Sequence, residues 1–172
     1  MYQSHQTSDV GLEFLVPPGI GIRPLEPSDR AGVAALFKRL SPESRRQRFL
    51  GPKPRLSDRE LTYLTTVDHR WHEALAAVDR RDGSIVGVAR YVRVPERPDA
   101  ADGAIAVADE HHGRGIGTAL LRCLIARARV NRFSILTATT LWENRPARAL
   151  LRGAGFQARG SSGAVIDLEL EL

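Results

Sequence analysis

Apolar positions along the 172-residue chain follow two periods. Recurrence every three to four residues predicts a helix with one buried face, and alternation or a short continuous run predicts a strand. In "IGIRPLEPSDR" a short strand is predicted around Gly21 to Pro24. Pro27 and Ser28 then lead into a helix through Leu40, with Val33, Leu36, Phe37 and Leu40 at helical spacing. A second helix starts at Ser41, a candidate N-cap with Pro42 in the first helical position. Ser57 precedes Glu60 by three residues, a capping box ahead of Leu61 and Leu64.

The segment "HEALAAVDRRDGSIVGVARYVRV" is apolar on both sides of Asp82-Gly83, a strong hairpin signal, so two antiparallel strands are expected. Pro95 to Asp99 is expected to be a loop, followed by a buried strand in "DGAIAVAD". After a cluster of glycines, Ile116, Leu120, Cys123, Leu124 and Ala128 share one helical face. "FSILTATTL" is β-rich. "NRPARALLRGAGF" predicts a helix capped by Asn144 and stopped by Gly153 and Gly155. The final "AVIDLELEL" alternates Ile166, Leu168, Leu170 and Leu172 against acidic residues, a strand with one wet face. The order is strand, helices, three strands, helix, strand, helix, strands. That is a mixed α/β sandwich with antiparallel parts and not a doubly wound sheet.

Composition narrows the class. With 42% hydrophobic and 26% charged residues the chain is expected to be one globular domain, Ile20 to Leu172, behind a loosely held arm from Met1 to Gly19. The one cysteine, Cys123, excludes an internal disulfide and a multi-Cys zinc site, and no stretch has membrane-spanning length or the pattern of a signal peptide. A cytoplasmic setting without a membrane partner is the expectation. The formal charge of +5 points to anionic company without naming it. A nucleic-acid partner is not expected, because the interleaved basic and aromatic pattern of such surfaces is missing. The densest basic run, "RRQRF" at Arg45 to Phe49, reads equally as a solvated helix face.

The candidate chemistry lies in "DEHHGRGIGTALL". Gly113, Gly115 and Gly117 sit where a buried strand turns into a helix, and a helix N-terminus gathers unpaired N–H donors and the positive end of the helix dipole. An anion site is therefore expected. Two familiar phosphate loops fail on spacing: the third glycine of GxGxxG is replaced by Thr118, and no Lys follows these glycines as a Walker loop requires. A turn that merely lets strand and helix pack tightly is the other reading.

"IAVADEHHGRGIGTALL" resembles motif A of the GNAT acetyltransferase superfamily, in which Arg or Gln, two residues, Gly, one residue and Gly or Ala follow a strand. The pattern falls on His112, Gly113, Arg114, Gly115, Ile116 and Gly117, with His in place of the usual first residue. "NRPARALLRGAGF" is similar to the family's closing segment. The resemblance spans Ile22 to Leu172 and implies a GNAT-like three-layer sandwich, its central, mostly antiparallel twisted sheet splayed at an acetyl-CoA site. It further implies that Gly113 to Thr118 hold the pyrophosphate of acetyl-CoA. Main-chain groups of Ile105, Ala106 and Val107 would meet pantetheine and acetyl, and Asn144 is a further cofactor contact or a plain N-cap.

Acetyl transfer needs a neutral amine, and a lysine of pKa about 10.4 lies roughly 4.6 kcal/mol from that state at pH 7. "LSPESRRQRF" with "LTYLTTVDHRWHEALAAVD" resembles the acetyltransferase domain of bacterial Pat-type protein lysine acetyltransferases, which act on acyl-CoA synthetases. Those open the fourth strand with Ala-Glu, the Glu being the base. The matching pair is Ala101-Asp102, so the resemblance implies Asp102 as a shorter base, working through a water and needing a raised pKa. Asp102-Gly103 is equally a turn dipeptide. Should Asp102 not serve, Glu110, His111 or a water chain would. The family's Tyr acid is replaced by Leu151, with Tyr91 and Cys123 as weak substitutes, yet a thiol of pKa near 8.5 leaves tolerably unaided.

His69 and His72, beside Asp68 and Glu73, lack a third ligand at set spacing, so no metal is expected, and a place lining the substrate cleft is their other reading. The leading expectation is acetyl transfer to a protein lysine. A small amine as acceptor, or a non-catalytic acyl-CoA sensor, are the alternatives, and a homodimer stays open.

Overall fold

The computed structural model describes residues 16–172. The segment expected to be a loose arm falls mostly outside them, but Val16 packs against the main core and Pro17 O accepts a bond from Ile20 N (3.1 Å).

Seven strands form one sheet: β1 (Ile20–Pro24), β2 (His72–Asp79), β3 (Ile85–Val94), β4 (Arg97–Val107), β5 (Ile135–Leu141), β6 (Gln157–Ser162) and β7 (Val165–Glu171), in the order β1-β2-β3-β4-β5-β7-β6. Among the described residues five α-helices accompany them: α1 (Arg30–Arg39), α2 (Pro42–Phe49), α3 (Asp58–Thr65), α4 (Ile116–Val130) and α5 (Arg145–Gly153). Every pairing is antiparallel except β4 with β5. The element order is the one expected from the pattern.

β2 and β3 are apolar on both faces because both are covered. Ala74, Ala76 and Ile85 join Leu25, Val33 and Leu36 beneath α1. Leu75, Ala77, Ala89 and Tyr91 face the other way, onto Leu120, Leu124 and Ala128 of α4. The caps form as expected. Ser41 Oγ accepts from Ser44 N (3.1 Å), and Ser57 and Glu60 close a reciprocal box of 3.2 and 2.8 Å.

Two expectations are corrected. The loop expected from Pro95 to Asp99 shrinks to a turn at Pro95 and Glu96, since β4 starts at Arg97. Val94 pairs with Arg97 and Arg93 with Ala101, so the residues between bulge out of the β3 ladder, where Pro98 needs no N–H partner. Asp102-Gly103 is no turn: Asp102 sits mid-strand, opposite Val92 on one side and Thr137 on the other.

A buried charge cluster clamps α4 to β2. The fully buried Glu73 accepts from Arg127 Nε (2.6 Å), His69 Nδ1 (2.6 Å) and Ala74 N (3.0 Å), so its carboxylate is paired on both oxygens. Next to it, His72 stacks on Tyr63 at 4.9 Å, and its buried Nε2 has no partner among the described residues. Burial, reinforced by the Arg90 charge, brings its pKa down to about 4. The unfolded chain, with a histidine near 6.5, binds more protons than the native state between those values. Stability is thus full above pH 6.5 and is lost as pH falls toward 4. The urea midpoint is expected to drop between pH 7 and pH 4.5, and His72→Phe to flatten that slope. An equal slope in the variant would assign the acid sensitivity elsewhere.

Candidate active site

β4 and β5 stay together only at Ala100, Ala101 and Asp102, opposite Ile135, Leu136 and Thr137. At the next residue the strands are still close, since a Cβ on Gly103 would lie 3.4 Å from Thr137 O. Beyond it they part, and the β5 side of Gly103 to Val107 is left without a strand partner. The gap opens into a cavity of about 700 Å³, ample for a large ligand. Ile105, Ala106 and Val107 form one wall, and Thr139, Thr140 and Asn144 lie opposite.

The mouth of α4 closes the far end. Gly113 (φ 71°) and Gly115 (φ 80°) adopt left-handed backbone, which only glycine enters without cost, and Gly115 is the N-cap of α4. No side chain of the described residues caps this helix. Its first N–H groups are therefore left facing the cavity, lined here by His112, Gly113, Gly115, Ile116, Gly117 and Thr118. That arrangement fits an anion, and a pyrophosphate on an extended arm suits both the open end and the unpaired β4 edge.

Two expected contacts are differently placed. Arg114 is absent from the cavity wall and directs Nη1 to His111 Nδ1 (2.8 Å). His112 reaches the wall, but its Nε2 donates to Val107 O (2.8 Å), leaving Nδ1 as its other polar atom. Asn144 caps α5 by accepting from Ala147 N (3.1 Å) and also lines the cavity, so both readings of it coexist.

Asp102 stands at the apex of the split. Its side chain is exposed and is not itself among the residues lining the cavity, whose wall begins at the neighbouring Gly103 and Thr137, and Thr137 Oγ1 donates to its Oδ1 (2.7 Å). Desolvation raises its pKa above the ordinary aspartate value, against the Thr137 bond and the positive charge of Arg48, while Asp167 adds to the rise. Its Oδ2 has no hydrogen-bond partner among the described residues.

The other base candidates are committed or distant. Glu110 is paired with Arg39 at 2.5 Å, and His111 is buried under Arg114. Tyr91 is fully buried and bonds Arg70 O and Asn131. Cys123 packs at the edge of the core, and Leu151 lines the cavity as an apolar side chain. His69 and His72 are not among its lining residues, and the described residues contain no metal-binding cluster.

Arg48 was hidden in the sequence. The run Arg45, Arg46 and Arg48 disperses: Arg45 holds the carbonyls of Phe37, Lys38 and Pro54, Arg46 pairs with Glu43 and Glu143, and Arg48 turns into the cavity. Helical spacing could have separated them only once the docking of α2 was known.

The acetyltransferase (GNAT) family model matches residues 36–156. An acetyltransferase of Pseudomonas aeruginosa is 34% identical over 137 residues, 78% of this chain and 73% of that protein. The crystal structure of the GNAT domain of S. lividans Pat superposes with a TM-score of 0.83 at 30% identity, covering 88% of this chain and 89% of that one. A Salmonella typhimurium protein solved with its cofactor acetyl-CoA shares the fold at a TM-score of 0.74 and 17% identity, over 89% and 94% of the two chains. The split sheet, the uncapped helix mouth behind two left-handed glycines and these matches agree: the chain belongs to the GNAT family and is an acetyl-CoA-dependent acetyltransferase.

Proposed function

We propose that the chain transfers the acetyl group of acetyl-CoA to the side-chain amine of a lysine in a protein, with Asp102 as general base. The observation that carries this is the position of Asp102: a carboxyl of raised pKa, with one oxygen free, at the apex where β4 and β5 part. The lysine reading is supported by the 30% identity to the GNAT domain of S. lividans Pat across most of both chains, and acyl-CoA synthetases are the acceptors to try first.

In this reading Gly113, Arg114, Gly115, Ile116, Gly117 and Thr118 hold the pyrophosphate through main-chain N–H groups. Ile105, Ala106 and Val107 bond the pantetheine arm, while His112 and Asn144 border it. When bound, acetyl-CoA supplies an acyl group on a thiol leaving group. Asp102 takes a proton from the ammonium, directly or through a water; the neutral amine then bonds to the acyl carbon, the C–S bond breaks with its electron pair leaving on sulfur, and the second proton shed by nitrogen ends on the thiolate by way of water. The thiol's own acidity makes Leu151 tolerable where a protonating side chain would otherwise be needed. We place this activity in the cytoplasm; no helix of the described residues is long and apolar enough to cross a membrane.

The test is a thiol-release assay with acetyl-CoA against purified acyl-CoA synthetases and a panel of small amines. Synthetase-dependent release, with the acetyl group mapped to a lysine, is the expected result. Release with small amines alone would reassign the acceptor, and acetyl-CoA binding without release to any of them would make the domain a sensor.

A further inference from the structure

A second cavity, about 50 Å³, lies behind the first on the α1–α3 side of the sheet. Leu40, Arg48 and Ala106 line both, so the small cavity adjoins the wall along which the acyl end of the cofactor would run. Its floor is apolar, with Val33, Leu36, Leu64 and Val88 among its side chains. Among the described residues its only polar lining side chains are two arginines, Arg48 and Arg90.

Arg90 is 6% exposed. Its Nη2 donates to Leu64 O, while its buried Nη1 has no partner among the described residues. Arg48 makes no ion pair or hydrogen bond among the described residues, and rests its guanidinium over the Phe49 ring at 4.9 Å. Neither has a carboxylate within salt-bridge distance among the described residues, and the nearby Asp102 charge favours the Arg48 cation only from beyond that distance. Desolvation lowers the pKa of both, and the Arg48 charge helps bring that of Arg90 to about 10; a guanidinium is basic enough to hold its charge at neutral pH. Two like charges over an apolar floor, one with an orphaned donor, are costly to hold unless an anion completes them. Strand alternation puts Arg90 on the same sheet face as Ala106 and Asp102, through the pairs Val88–Ala106, Arg90–Ala104 and Val92–Asp102. The charge pair therefore faces the side of β4 that carries the proposed base.

We propose that this second cavity is a subsite for a carboxylate brought into the cleft by one of the reacting partners, with Arg90 and Arg48 as its ligands. The carboxylate belongs either to the acceptor, beside its amine, or to the far end of a dicarboxylic acyl group on the donor. The chemistry is the same: a planar anion meeting guanidinium donors, one of them waiting and buried. The inference rests on acyl transfer at this cleft.

Binding separates the two sources and does not depend on turnover. In the donor arm, dissociation constants are measured for succinyl-CoA and its uncharged counterpart butyryl-CoA. In the acceptor arm, lysine peptides flanked by Glu or by Gln are titrated onto the enzyme–CoA complex. At least a tenfold preference for the charged member is expected in one arm, and Arg48→Gln is expected to abolish it. Arg90→Gln should do the same if it folds; Arg48 is only half-buried, so its variant carries the test alone. Parity in both arms, or a preference that survives Arg48→Gln, overturns the subsite. Failure of thiol release with every acceptor, while these affinities still discriminate, would count against the proposed function and not against the subsite.

Discussion

Asp102→Asn is expected to lower the turnover number about a hundredfold or more at neutral pH, the usual contribution of a positioned general base. Asparagine keeps the volume and the acceptor oxygen for Thr137 Oγ1, so the splay of β4 from β5 should persist. Asp102 is not among the residues lining the cavity and is far along β4 from the glycine turn, and acetyl-CoA affinity is expected to stay near that of the wild type. The pH profile supplies the sign. The wild-type rate should fall as pH drops through a carboxyl pKa lying above the ordinary aspartate value, because the base is then protonated. The variant loses that acid limb and recovers part of its rate at alkaline pH, where the amine is already neutral.

Stability should move the other way. A carboxyl whose folded pKa is raised binds more protons in the native state than in the unfolded one, so it weakens the fold as pH rises through that window. Removing the charge should leave the melting temperature at pH 7 equal or slightly higher. An inactive variant that melts no lower is lost chemistry and not lost structure. Asp102→Glu restores the longer arm found in Pat-type enzymes and is expected to keep or raise activity. Wild-type turnover in Asp102→Asn would remove the base from this position and leave a water chain as the candidate, since Glu110 and His111 are held by arginines.

What could be read from the sequence was whatever a residue type imposes locally. Gly113 and Gly115 announced their turn because left-handed backbone excludes most other residues, and Asp82-Gly83 and Ser57–Glu60 marked a hairpin and a helix start by the same local logic. What failed was decided across the sheet. Asp102-Gly103 has turn chemistry, but Val92 and Thr137 claim it from both sides. Pro98 looked like a loop residue because a bulge that tolerates it cannot be seen without the β3 register. Arg90 passed as one more residue of "VARYV", since strand alternation gives its face but not the burial that strands its Nη1. The glycine loop was therefore legible, whereas the charges around Asp102 were not.

Gly115→Val is expected to raise the dissociation constant of acetyl-CoA at least tenfold. At φ 80° a valine is strained, at a cost of roughly 1–2 kcal/mol, and it can relax only by moving the turn whose N–H groups face the cavity. Among the described residues its Cβ would meet nothing closer than Pro17 Cγ at 3.7 Å, so these leave room for the side chain to stand over the loop and block the close approach of a phosphate. Calorimetric titration measures the loss, and a melt measures the strain. Gly163→Val is the control: Gly163 also has positive φ (57°) with open space around it, but it sits in the β6–β7 turn away from the cavity. It should lose comparable stability and keep its affinity. Ligand bound to the native state alone adds about 2.7 kcal/mol at a hundred times the dissociation constant. For a domain of this size that is roughly 5–10 °C in melting temperature. Wild type and Gly163→Val should show that gain with acetyl-CoA, and Gly115→Val at the same concentration should fall short of it. A folded Gly115→Val with unchanged affinity would take the pyrophosphate away from the mouth of α4.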